Sequence, residues 1–278
     1  MSNNFGGNWT IEKLNIFTEY FNLYLKALKN KKFKKIYIDA FAGTGGIKFK
    51  DEEYSIPGSS RIVLESNNKF DHYFFIEKDK KNYNELNKMI DEKFQEQRNI
   101  ITTINEDANE ALKGIIKKIN WNYNRAILFI DPYATEFKWD TLKEVAKTGS
   151  IDVWYLFSYY AVNRMLTTNG EIDPSWKNKI TSLFDSEDWE EQFYKKSDQI
   201  SLFDEEPGVE KTANIEIVKQ YLIKRLETIF CKVSPTPRVL YNNNKFPMFI
   251  FCFCVSNQSK KAQNLAMKFA KHVLEKPN

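Results

Sequence analysis

Histidine and cysteine are scarce in this chain, with two His and three Cys among 278 residues. Cys231, Cys252 and Cys254 are too few for a disulfide framework, and they lack the paired spacing and neighbouring histidines of a zinc site. A reduced, cytoplasmic protein is the expectation. No apolar run approaches the roughly 20 residues that span a bilayer, and the opening MSNNFGGNWTIEKL carries no basic, apolar export signal. Charge of one sign is missing too, since 41 Lys and Arg stand against 37 Asp and Glu for a net of +4. That balance permits a polyanionic partner without requiring one. No internal repeat or low-complexity tract interrupts the chain. What is plentiful is apolar (42%) and aromatic (15%), enough for one large core with an elaboration.

The apolar residues fall into alternating periodicities. From Trp9, positions 11, 14, 17, 20 or 21, 24 or 25 and 28 predict an amphipathic helix, with Thr10 as its N-cap. Strands are expected at 34–41, 71–79, 99–107, 125–133 and 150–158, separated by helices at 59–66, 80–95, 108–119 and 138–147. Apolar runs alternating with helices predict a parallel sheet covered on both faces. Residues 160–210 break the rhythm with many charges among isolated aromatics, and suit an inserted helical or loop segment forming a substrate-side cap. Residues 1–159 and 211–278 would form the main domain. A helix at 212–230 restores regularity, and two strands over 238–256 joined at Asn242-Asn243-Asn244 read as a hairpin. A hairpin is antiparallel, so the sheet should be mixed at this end. A helix at 260–274 follows.

Parallel sheets bind ligands beyond the carboxyl ends of their strands, so the residues there are the candidate site. The first strand runs into Asp39-Ala40-Phe41-Ala42-Gly43-Thr44-Gly45. Glycine lets backbone approach a ligand closely, yet the turn departs from GxGxxG and lacks the lysine of a P-loop. A carboxylate at Asp39 would repel a pyrophosphate and suit a ligand bearing an ammonium group, such as the methionine part of S-adenosyl-L-methionine. A purely structural turn also fits.

Glu77 ends the second strand, where an acid accepts hydrogen bonds from ribose hydroxyls. A solvated strand end is the alternative. Lys78 adjoins it, and Asp79 and Asp107 are candidates for the adenine side, with Asp107 equally readable as a helix N-cap before Ala108. Asp131-Pro132-Tyr133 closes the fourth strand. There a carboxylate and a main-chain carbonyl can orient an amine while an aromatic ring stacks on a flat base. A strand terminator is the plainer alternative. After the fifth strand, Tyr159, Tyr160, Asn163 and Arg164 offer a base or phosphate pocket, or rim packing. Lys31, Lys32, Lys34 and Lys35 precede the first strand and point away from this edge.

These residues resemble a known family, the three-Cys-motif partner proteins, and more broadly the Rossmann-fold methyltransferases that use S-adenosyl-L-methionine. WTIEKLNIFTEYFNLYLKAL, YIDAFAGTGG, PGSSRIVLE, FFIEKDKKNYNEL, EDANEAL, ILFIDPYATEFKW and DVWYLFSYYAVNRM carry the likeness over roughly residues 9–166. The resemblance implies an α/β fold with a seven-stranded, mostly parallel sheet ending in an antiparallel C-terminal hairpin. It implies that Asp39, Phe41, Gly43 and Gly45 form the donor loop, that Glu77 is the ribose acid and that Asp107 lies on the adenine side. Asp131-Pro132-Tyr133 would be the amine-methylation motif. Nucleobase amino-methyltransferases usually have two prolines before the aromatic; here there is one. The expected function is methyl transfer to an amine, of a nucleic-acid base above all, with a three-Cys-motif protein as a partner. The alternative is a donor-binding accessory subunit with the chemistry elsewhere.

Overall fold

The computed structural model describes residues 8–48, 55–133, 135–196 and 208–276. The expected cap therefore falls partly outside the described residues. A first helix, α1 (Asn8–Leu28), precedes β1 (Lys34–Asp39) and a short antiparallel pair, β2 (Gly46–Lys48) and β3 (Ser55–Pro57). Then come α2 (Ser59–Glu65), β4 (His72–Ile76), α3 (Lys80–Lys93), a 3-10 turn (Gln95–Ile100), β5 (Ile101–Ile104) and α4 (Ala108–Lys118). β6 (Asn124–Ile130), α5 (Trp139–Lys147) and β7 (Ile151–Phe157) complete the parallel part. The segment that breaks the rhythm folds as α6 (Tyr159–Met165), α7 (Pro174–Phe184), α8 (Trp189–Phe193) and a two-stranded β8 (Tyr194–Lys196) and β9 (Val209–Lys211). α9 (Ile215–Glu227), β10 (Lys232–Val233), β11 (Arg238–Tyr241), β12 (Pro247–Val255) and α10 (Lys260–Leu274) end the fold.

The central sheet runs β5-β4-β1-β6-β7-β12, with β1, β4, β5, β6 and β7 parallel and β12 antiparallel to β7. The order reverses between β1 and β6, the place where α/β sheets hold ligands. The edge assigned from sequence to one strand holds two short ones. β10 and β11 lie end to end along β12, because Pro235 and Pro237 between them can donate no ladder hydrogen bond.

Alternation sorts the side chains between two cores. Ile36, Ile38, Leu128, Val153 and Tyr155 face the layer of α4 to α9, and Tyr37, Ile127, Phe129 and Trp154 face α1, α2, α3 and α10. Val162, Ile180, Phe184, Trp189 and Phe193 of the inserted segment share the first core with the sheet. On α1, Leu14, Phe17, Tyr20, Phe21, Tyr24 and Leu25 are buried, whereas Ile11 is exposed. Thr10 is not the cap. The helix has already begun at Asn8, and the Thr10 hydroxyl is buried without a hydrogen-bond partner among the described residues.

Candidate functional site

The loop after β1 is fastened at both ends. The Ala42 amide donates to the Ile76 carbonyl at 2.9 Å and the Gly58 amide donates to the Gly45 carbonyl at 3.0 Å. Gly43 (φ 59°) and Gly45 (φ 80°) occupy the left-handed region, which costs a residue with Cβ about 1–2 kcal/mol. Their surroundings differ. A Cβ on Gly45 would lie 2.3 Å from Met89 Cε, whereas one on Gly43 would meet nothing within 4 Å. Gly45 therefore serves packing, and Gly43 borders open space.

Glu77 stands across from that space. Its Oε2 accepts the Gly43 amide at 2.9 Å and its Oε1 accepts the Asp79 amide at 2.7 Å. Burial raises its pKa, and the two amide bonds oppose the rise without cancelling it. The Asn82 side chain also bears on Glu77, and a carboxylate's roughly four lone pairs leave room for a ligand hydroxyl. The neighbouring Asp79 carboxylate is already engaged as the N-cap of α3, accepting from the Asn82 amide at 2.8 Å.

Asp39 is placed differently. It shares the parity of Tyr37 and so points into the core, fully buried. It accepts from the Ser59 hydroxyl (2.6 Å), the Tyr37 hydroxyl (3.0 Å) and the Phe41 amide (3.2 Å). Burial pushes its carboxyl up to about 6, although all three bonds pull the other way. Its burial, not a shortage of lone pairs, keeps it from direct contact with a ligand ammonium, and in this structure Asp39 shapes the turn from beneath. Phe41 meets Phe137 edge-on at 6.2 Å.

Asp107 caps α4, accepting the Asn109 amide at 3.0 Å, and pairs with Lys78 at 3.2 Å. Burial pushes the carboxyl up, but the bonds from Asn109 and Lys78 outweigh it and leave the pKa lowered. Ala108 is buried behind it. Asn109, which the sequence did not single out, joins this strand end to the segment after Tyr133. Its amide nitrogen donates to Asp107 Oδ1 (3.0 Å) and the Glu136 carbonyl (3.2 Å), and its oxygen accepts from the Lys138 amide and the Thr141 hydroxyl, both at 2.9 Å.

Asp131 follows β6, at the point where the strand order reverses. Its Oδ2 is ion-paired with Lys13 of α1, a lysine almost wholly buried beside the Trp9 ring, 5.4 Å from the ring centre. The sequence reading placed Lys13 on an ordinary helix and missed it. Pro132 is buried, and Tyr133 is half exposed.

The residues after β7 divide. Tyr159 is buried, and its hydroxyl donates to Asn163 Oδ1 at 3.4 Å. Asn163 in turn accepts from the Lys211 ammonium at 3.0 Å. Those two serve the inserted segment. Tyr160 and Arg164 face outward, with the guanidinium 5.5 Å from the ring centre. Tyr160 also meets Phe246, in the turn of the β11–β12 hairpin, edge-on at 6.1 Å. Tyr160, Phe246 and Tyr241 are all exposed.

No known protein family matches the chain, and no curated protein matches it. Among solved structures, a Legionella pneumophila protein is similar at 12% identity, covering 97% of this chain and 93% of that one with a TM-score of 0.49. The methyltransferase domain of bacterial CtHen1-C is similar at 11% identity, 87% and 99% coverage and a TM-score of 0.40. Spermidine synthase from Thermotoga maritima follows at 12% identity, 98% and 67% coverage and a TM-score of 0.42. The fold itself, a mostly parallel Rossmann-like sheet with an antiparallel C-terminal hairpin, rests on the strand order.

Proposed function

We propose that the protein binds S-adenosyl-L-methionine at the carboxyl edge of β1 and β4 and transfers its methyl group to an amine, on a nucleic-acid base. The observation that carries the reading is the Glu77–Gly43 clasp. A glycine in the left-handed region borders open space, and a carboxylate with lone pairs to spare holds its amide. Glu77 would take the ribose hydroxyls, Asp107 and Ala108 would border the adenine, and the Phe41–Gly45 turn would carry the methionine end. The donor supplies an electrophilic methyl on a sulfonium, so the chain's task is alignment, which can contribute roughly 7–11 kcal/mol. Asp131 and the Pro132 carbonyl would hold the acceptor amine and direct its lone pair, with Tyr133 and Tyr160 stacking on the base. A base in a duplex must first be extruded, at a few kcal/mol.

The deciding experiment has two parts. S-adenosylhomocysteine should raise the melting temperature, and Asp131→Ala should keep that shift while losing transfer of labelled methyl to DNA or RNA. Transfer at the wild-type rate by Asp131→Ala would remove the assignment.

One observation favours a second reading, a donor-binding subunit that acts with a partner such as a three-Cys-motif protein. The Asp131 carboxylate is already paired with Lys13. Donor binding without transfer by the chain alone, restored when the partner is added, is the outcome that reading expects.

A further inference from the structure

The opposite edge of the sheet holds a cavity that the proposed reaction does not use. It lies between α1, α10 and the starts of β6 and β7, has a volume of about 350 Å³, and is walled by Tyr20, Tyr24, Leu28, Val255, Ala266 and Phe269. Protein interiors are close-packed, with few voids larger than a water, and a mostly apolar hollow of this size with a few polar groups has the dimensions of a small-molecule site.

Its acidic residue is Asp152, the second residue of β7, set between the buried Ile151 and Val153. The carboxylate has one side-chain partner among the described residues, the Tyr20 hydroxyl at 3.4 Å, a long and weak hydrogen bond. Arg125 lines the same cavity, near enough for its charge to favour the ionised form of Asp152 but with no ion pair to it. Its Nη1 donates to the carbonyls of Trp121 (2.8 Å) and Asn124 (2.6 Å) and to Ser150 Oγ (3.1 Å), and its guanidinium lies over the Phe33 ring at 4.0 Å. Among the described residues no cation lies within ion-pairing distance of Asp152. Burial pushes the Asp152 carboxyl up to about 7, with the Tyr20 bond and the Arg125 charge pulling the other way, so an ammonium brought beside it would favour its ionised form.

We infer that this cavity is a second ligand site, for an organic amine with a compact apolar body. The ammonium end goes inward to Asp152, where the tyrosine rings of Tyr20 and Tyr24 add cation–π attraction. The body fills the space between α1 and α10. Lys31 and Lys261 line the cavity too, so the end of the ligand remote from Asp152 is neutral or anionic and never a second cation. This inference is independent of the methyl-transfer reading, because it uses none of the carboxyl-edge residues.

Tryptamine is a suitable probe, with tryptophol as its uncharged counterpart and indole-3-acetate as its anionic one. In two-dimensional amide NMR of the full chain, tryptamine should bind in the millimolar range or tighter, shifting signals of α1, α10 and the start of β7, and should do so at least tenfold more tightly than either control. Asp152→Asn should abolish that preference for the amine while leaving tryptophol binding unchanged. Ala262→Phe, which adds a ring to the cavity wall without touching Asp152, should block all three. The inference is overturned if tryptamine shifts no signals in this region, if Asp152→Asn binds it as well as wild type, or if a crystal structure finds Lys31 or Arg125 folded inward against Asp152.

Discussion

Lys13 and Asp131, 118 residues apart in the chain, form an ion pair that pins the start of α1 to the carboxyl end of β6. The lysine is buried and the aspartate is partly exposed, so the two substitutions are not equivalent. Lys13→Ala leaves a carboxylate that water can reach, and should cost about 1–3 kcal/mol. Asp131→Ala leaves an ammonium buried without its partner, and should cost about 3–5 kcal/mol. Urea denaturation of both single variants and the double variant measures the coupling, expected at about 0.5–3 kcal/mol.

The two glycines of the donor loop should separate stability from binding. Gly43→Ala places a methyl in open space and should cost only the backbone strain, about 1–2 kcal/mol, while abolishing the melting shift given by S-adenosylhomocysteine. Gly45→Ala strikes Met89 as well and should be the more destabilising of the two. Thermal melts with and without the ligand check both.

Asp39 makes stability depend on pH in the sense opposite to an ordinary paired carboxylate. Burial holds its folded pKa at about 6, above the unfolded value near 3.8, with the Asp131 charge adding to the rise. Between these values the folded state binds more protons than the unfolded one, so stability falls as pH rises. The contribution, roughly 2–3 kcal/mol, is fully present below pH 4 and lost as pH passes through 6. Chemical denaturation of wild type and Asp39→Asn at pH 4.5 and 7 should show a smaller loss in the variant.

Asn109 satisfies two donors and two acceptors at once. Asn109→Ala strands the buried Thr141 hydroxyl and the partly buried Lys138 amide, for an expected cost of about 1–3 kcal/mol. The segment after Tyr133 should lose hydrogen-exchange protection while β6 keeps its own.

Tyr159 and Tyr160 are neighbours with opposite predicted effects. Tyr159→Ala removes a buried ring and should cost about 3–5 kcal/mol of stability. Tyr160→Ala should leave stability within about 0.5 kcal/mol and weaken binding of a single-stranded oligonucleotide by about 1–3 kcal/mol. Fluorescence anisotropy and melting curves on the two proteins resolve the pair.

Much of this was legible in the residues themselves. β1, β6 and β7 read as strands because a parallel sheet buried on both faces needs continuous apolar runs. The strands expected at 34–41, 99–107 and 125–133 stop sooner, at Asp39, Ile104 and Ile130. The inward turn of Asp39 was also there to read, because period 2 puts it on the side of Tyr37. The split of the edge strand was signalled by Pro235 and Pro237. Lys13–Asp131 was not legible, because nothing local distinguishes a lysine on an amphipathic helix until tertiary packing brings a carboxylate to it. Asn109 was hidden for the same reason, as three of its partners lie 27 to 32 residues downstream.

The packing of α1 has a bearing on how the chain is made. Tyr20 meets Phe253 at 4.6 Å, and Glu19 accepts from Lys276 at 2.7 Å across 257 residues. During synthesis α1 emerges long before β12 and α10, so Tyr20 lacks its Phe253 cover until they have left the ribosome, whereas Phe17 and Phe21 can pack earlier on Tyr37, Phe129 and Phe70. Closure of that side of α1 awaits residues 247–274. A ribosome stalled before residue 247 would therefore display a more protease-sensitive α1 than one stalled after residues 247–274 have cleared the exit tunnel.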